Sequence, residues 1–186
     1  SELEEILERV RKMAEDAERI SEETLRRSEE LIRRVKDLSR ESLERVERLI
    51  RKVKKEIEEI KDDDTLRRLL EEVEKEIRKI LKEDEEALED VARKVKKINR
   101  DNERLLEELR KIAETLLKDI LTKKGEESEE VLRVIKAIED LLRRVERVSR
   151  EASKTSEELL KDITRVSEKS KEDIKRLLDD VRRKVK

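Results

Sequence analysis

The sequence predicts an all-α protein, an antiparallel up-down-up three-helix bundle of long, nearly straight helices with an 18-residue repeat. Three observations carry this. Leu, Ile, Val and Ala recur at helical spacing along the whole chain, and Asp, Glu, Lys and Arg fill most of the remainder, making up 56% of the 186 residues. The pattern breaks at two places only. So much charge would by itself suggest disorder, but nearly all of these residues are good helix formers and the apolar third keeps a helical period, a composition that points to long helices.

The first helix is expected over about 2–61. Its core stripe runs from Leu3 and Val10 through Met13, Ala17, Ile20, Leu31, Val35, Leu38 and Leu49 to Ile57 and Ile60, a mean step of about 3.6 residues that matches an unstrained straight helix better than a 3.5-residue heptad. KDDDT (Lys61 to Thr65) ends it, with three aspartates suited to capping the next helix. The second helix is expected over about 65–123, its stripe running Leu66 to Ile120. KKGEES (Lys123 to Ser128) then supplies the only glycine, suited to the left-handed residue after a helix end, and Ser128 as an N-cap. The third helix follows over about 128–185. Each helix would be roughly 90 Å long, and loops this short turn neighbouring helices antiparallel, so residues 1–186 read as a single three-helix bundle.

Eighteen residues make five helical turns, and the sequence repeats at that interval. ISEETLRRSEELIRRVKD (Ile20 to Asp37) aligns with LSRESLERVERLIRKVKK (Leu38 to Lys55), matching Ser21 with Ser39 and Thr24 with Ser42. In the second helix the alignment matches Asp84 with Asn102, and in the third it matches Ser149 with Ser167. The period is that of helix geometry and not of a 33- or 34-residue solenoid unit.

Polar residues interrupt the apolar stripe at two levels. Pairing the helices about their loops places Thr24 and Ser28 beside Asn99 and Asn102, and these beside Ser149, Ser153 and Ser156. The same pairing sets Ser39 and Ser42 beside Asp84, and that beside Thr164, Ser167 and Ser170. An unpaired buried amide or hydroxyl costs roughly 1 to 3 kcal/mol, so such residues are tolerable where they satisfy one another. They then penalise a slipped register, which would set an asparagine against leucine. The alternative for individual serines and threonines is a bond back to a carbonyl of their own helix.

The composition excludes most chemistry. Without Cys or His there is no disulfide framework, ordinary zinc or haem site, thiol nucleophile or imidazole base, so no metal or cofactor is expected. The Glu pairs lie off the stripe on solvated faces, and serine without histidine makes no triad, so no catalytic residue and no enzyme is expected. Acids and bases are balanced in each third of the chain and aromatics are absent, which argues against nucleic acid. A membrane is excluded too: no stretch approaches the roughly 18 apolar residues that span a bilayer, and a lipid surface would need aromatic anchors. SELEEILE lacks the regions of a signal peptide. The basic tip RRKVK suits a helix C-terminus.

Helices of equal length with capping residues, the 18-residue repeat, alternating Glu/Lys/Arg surfaces, missing aromatics and buried Ser/Thr/Asn layers together resemble de novo designed helical bundles with buried hydrogen-bond layers. The resemblance covers the whole chain. Spectrin-like repeats, with their aromatics, and apolipoproteins, with 11- or 22-residue repeats broken by proline, fit less well. It implies a hyperstable, monomeric structural scaffold with no natural biochemical activity or localisation, soluble and cytoplasmic on recombinant expression. The alternative is a helix-binding or oligomerising component of a designed assembly. Neighbouring apolar pairs such as Leu31 and Ile32 or Leu49 and Ile50 widen the stripe enough for a closed core or for one more helical neighbour.

Overall fold

The structure, a computed structural model, describes residues 2–125 and 128–185. Ser1 of SELEEILE, Glu126 and Glu127 of KKGEES and Lys186 of the basic tip lie outside the described residues. Three helices form: α1 Glu2–Glu59, α2 Asp63–Lys124 and α3 Glu129–Val185. Among the described residues no strand occurs and only Gly125 has positive φ.

The first boundary differs from expectation by two residues on each side, and capping explains it. Asp62 accepts at Oδ1 from the Asp64 amide (3.4 Å) and at Oδ2 from the Thr65 hydroxyl (3.0 Å), while its carbonyl accepts from Leu66 N (3.1 Å). It is therefore the N-cap, and helical geometry begins at Asp63 instead of at Thr65. At the other end of α2, Gly125 adopts φ 73° and donates its N–H to the Leu121 carbonyl (3.1 Å), the left-handed stop that pairs one of the helix's last free carbonyls. Ser128 caps α3, its carbonyl accepting from Leu132 N at 3.1 Å.

A Cβ built on Gly125 would meet no atom within 4 Å, so the glycine answers to conformation and not to space. Gly125→Ala is expected to cost about 1 to 2 kcal/mol through the left-handed penalty alone. Gly125→Asn, which tolerates that region, should recover most of it. Chemical denaturation midpoints of the two variants check this.

The inter-helix contacts gather into two compact units to which all three helices contribute. One comprises Ser1–Glu29 with Lys94–Glu158, the other Glu30–Arg93 with Leu159–Lys186. In the first, Leu3 and Val10 of α1 pack with Ala113 and Ile120 of α2 and with Val131, Val134 and Ile138 of α3. A smaller cluster of Ala14, Ala17, Leu109 and Val145 joins the same three helices. In the second, Val46, Ile50 and Val53 pack with Val73, Ile77 and Ile80 and with Ile174, Leu178 and Val181. Burying each of the larger of these side chains contributes about 1.5 to 3 kcal/mol. Within the first unit Glu18 of α1 pairs with Arg144 of α3 (2.6 Å), and Arg110 of α2 with Glu146 of α3. Within the second, Arg182 of α3 pairs with Glu74 of α2 (2.7 Å) and holds that carboxyl below its ordinary value. With their arginines exposed and their carboxylates half-buried, these pairs contribute little stability, but Arg110–Glu146 and Arg182–Glu74 follow the antiparallel run of α2 against α3.

Burial follows the 18-residue repeat more closely than the expected stripe does. Val10, Ser28 and Val46 are all buried, as are Ala14, Ile32 and Ile50, and Ala17, Val35 and Val53. In α2 the series Val73, Val91, Leu109 and Ile77, Val95, Ala113 behave alike, and in α3 so do Val145, Ile163, Val181. The stripe drawn through Met13, Ile20, Leu31, Leu38 and Leu49 is displaced by one residue. Those five are half-buried, and their successors Ala14, Ser21, Ile32, Ser39 and Ile50 sit at the centre. The reason is that a helix in a three-helix core touches two neighbours. Its deepest line bisects them, and the other residue of each apolar pair, such as Leu31 beside Ile32 or Leu49 beside Ile50, flanks that line.

Candidate functional site: buried polar positions in each unit

In the first unit, α2 carries two amides into the core. Asn102 Oδ1 accepts from the hydroxyl of Ser21 on α1 (3.2 Å), and its Nδ2 donates to the hydroxyl of Ser149 on α3 (3.0 Å), so one side chain joins all three helices. Asn99 Nδ2 donates to the Ser156 hydroxyl (3.0 Å), which in turn donates to the Ser153 carbonyl (2.9 Å). Asn99, Asn102, Ser21, Ser149 and Ser156 are all buried. The remaining residues singled out from the sequence behave differently. Thr24, expected beside Asn102, donates instead to the carbonyl of Ser21 (2.7 Å). Ser28 is buried with no partner for its Oγ, and Ser153 is half-buried.

The α1 member of the triad is thus Ser21, one turn before the residue that loop-centred pairing selects. Ser21 also lies within reach of the Ala17 carbonyl (3.0 Å), so its single proton is shared between that carbonyl and Asn102. The signal for it was present in the sequence, because Ser21 stands eighteen residues before Ser39.

In the second unit, Ser42 of α1 donates to Asp84 Oδ1 (2.7 Å), and Ser39 is buried nearby in sequence. Thr164 donates back to the Leu160 carbonyl (2.8 Å). Ser167 and Ser170 are half-buried, and the Ser170 Oγ is shielded and without a partner. Burial pushes the Asp84 carboxyl above its ordinary value; the Ser42 bond pulls it back, Glu83 raises it and Arg45 lowers it. A carboxyl whose value is raised by folding contributes most favourably below its unfolded value, and that advantage is lost as pH rises through the folded value. Asp84→Asn is therefore expected to stabilise the protein at neutral pH and to flatten its pH dependence. Denaturation midpoints of both proteins between about pH 3 and pH 7 should converge at the acid end. A gap that stays constant with pH would contradict it.

Repeat equivalence extends to whole groups of contacting residues. Eighteen residues from Ser21, Asn102 and Ser149, following the direction of each helix, stand Leu3, Ile120 and Val131, all three buried in one apolar cluster. In the other direction stand Ser39, Asp84 and Ser167. The pair Asn99 and Ser156 maps likewise onto Leu117 with Ile138 on one side and Leu81 with Ile174 on the other, each an apolar pair within one cluster. The same backbone positions therefore carry either an apolar or a polar set, exchanged together.

No group of three or more metal-ligating side chains, and no helix long and apolar enough to cross a membrane, occurs among the described residues. No protein-family model and no curated protein matches the sequence. One solved structure, described as a "Computationally designed three helix bundle", is similar to this chain with a TM-score of 0.79, over 99% of this chain and 92% of that one, at 18% identity. This chain is a three-helix bundle. At that identity the likeness speaks for the fold, and it does so across both units.

Proposed function

We propose that the chain is a designed structural scaffold without a natural biochemical activity, its core specified by apolar packing plus two buried polar layers. The observation that carries this reading is the register-true exchange of whole contact sets: Leu3, Ile120 and Val131 against Ser21, Asn102 and Ser149. Chemistry at a site requires groups placed for a substrate, whereas Ser21, Asn102 and Ser149 are bonded to one another and stand where apolar residues stand one repeat away. Such exchange fixes helix register and orientation at a cost in stability, the best attested use of buried polar groups. Likeness to a computationally designed bundle supports the same reading.

Agreement of capping, propensity and pattern over every helix leads to a monomer of 22.4 kDa whose helical signal persists above about 90 °C. Light scattering across a dilution series and thermal circular dichroism measure both. A dimer or larger mass would favour the oligomerising reading, and a cooperative melt near about 55 °C would remove the scaffold reading's main physical support.

A further inference from the structure

Asp84 occupies the repeat position of Asn102 but lacks its amide. Asn102 spans its neighbours because it accepts on one side and donates on the other; an ionised carboxylate only accepts. Asp84 takes its hydrogen bond from Ser42, and among the described residues none joins it to Ser167, the counterpart of Ser149. Between α2 and α3 at this level lies a groove of about 260 Å³. Asp84, Ser167 and the unpartnered Ser170 form its polar side, and Leu81, Leu88 and Ile174 its apolar side. Charge at the rim is mostly negative: Glu85, Glu89 and Glu168 stand against Lys171 alone, which lies 3.5 Å from Glu85.

The geometry points to a binding site in this groove for a small planar N–H-donor cation of the amidinium class, seated on Asp84. The ligand supplies from outside the donors that Asn102 carries within its own side chain. Two parallel N–H bonds match a carboxylate's geometry, further N–H groups reach the acceptor lone pairs of the hydroxyls, and the hydrocarbon end lies against Leu88 and Ile174. A groove this small is below the range of drug-sized sites, which limits the ligand to a few heavy atoms.

The test is a nuclear magnetic resonance titration of the whole chain with acetamidinium chloride to about 50 mM at constant ionic strength, with tetramethylammonium, a cation without N–H donors, as comparison. Saturable shifts confined to residues around Leu81–Leu88 and Thr164–Ile174, and absent at Asn102 and Ser149, are the expected result. Asp84→Asn should weaken binding by roughly tenfold or more. Ser170→Val, which fills the groove without touching the carboxylate, should weaken it as well, with helical content retained. Shifts that grow linearly without saturation, equal shifts from tetramethylammonium, or unchanged binding in both folded variants would overturn the proposal, leaving solvent as the groove's occupant.

Discussion

Asn102→Ala is expected to lower stability by about 1 to 3 kcal/mol, the cost of leaving the Ser149 hydroxyl buried with its donor removed while Ser21 falls back on the Ala17 carbonyl. The asymmetry between the two serines sharpens the expectation. Ser21 already shares its proton with its own helix, so it loses little. Ser149 has no second bond among those described, so most of the loss belongs to the α2–α3 contact. Adding Ser149→Ala to Asn102→Ala should therefore cost less than the sum of the two single changes, and Ser21→Ala with Asn102→Ala should be closer to additive. Guanidinium denaturation of the parent, the three single variants and the two double variants measures both couplings. No loss on Asn102→Ala would mean that the amide is hydrated and that no layer exists around it.

Much of this arrangement was legible before any coordinates. The apolar period and two interruptions in it suffice for three helices, since nothing competes with helix in a chain of Leu, Glu, Lys and Arg with one glycine and no proline. The boundary at Asp62 moved because three consecutive aspartates offer three candidate caps, and which of them caps depends on where Thr65 can reach back. The depth of the stripe was less legible. Periodicity finds the apolar face, but the choice between Leu31 and Ile32, or Leu49 and Ile50, as its centre depends on where two neighbouring helices stand. Polar positions suffered the same uncertainty of one turn, as Thr24 and Ser21 show. Hairpin arithmetic fixes height only to within a turn, and a hydroxyl one turn away can satisfy itself on its own helix. Asp84 was harder again, because its half-burial follows from a groove that no residue pattern announces.

The internal repeat offers its own control for what the polar groups do. Replacing Ser21, Asn102 and Ser149 together by Leu, Ile and Val would install, at the same helical positions, the set that Leu3, Ile120 and Val131 already form in an apolar cluster. Packing of that set is thus precedented in the same chain, in the same three helices and in the same relative register. Removing all three polar partners at once leaves no orphan among them, and burying apolar volume in their place is expected to raise stability by roughly 1 to 4 kcal/mol. The single change Asn102→Ile falls short of this, since it strands Ser149 against hydrocarbon. If register is what the polar set supplies, the triple variant should be more stable and less singular. Light scattering should then detect association, or the nuclear magnetic resonance spectrum a second set of signals, at concentrations where the parent gives neither. A triple variant that gains stability and stays one monomeric species would show that apolar packing alone specifies the bundle. One that loses stability would show that the polar set contributes more by bonding than three buried side chains contribute by packing.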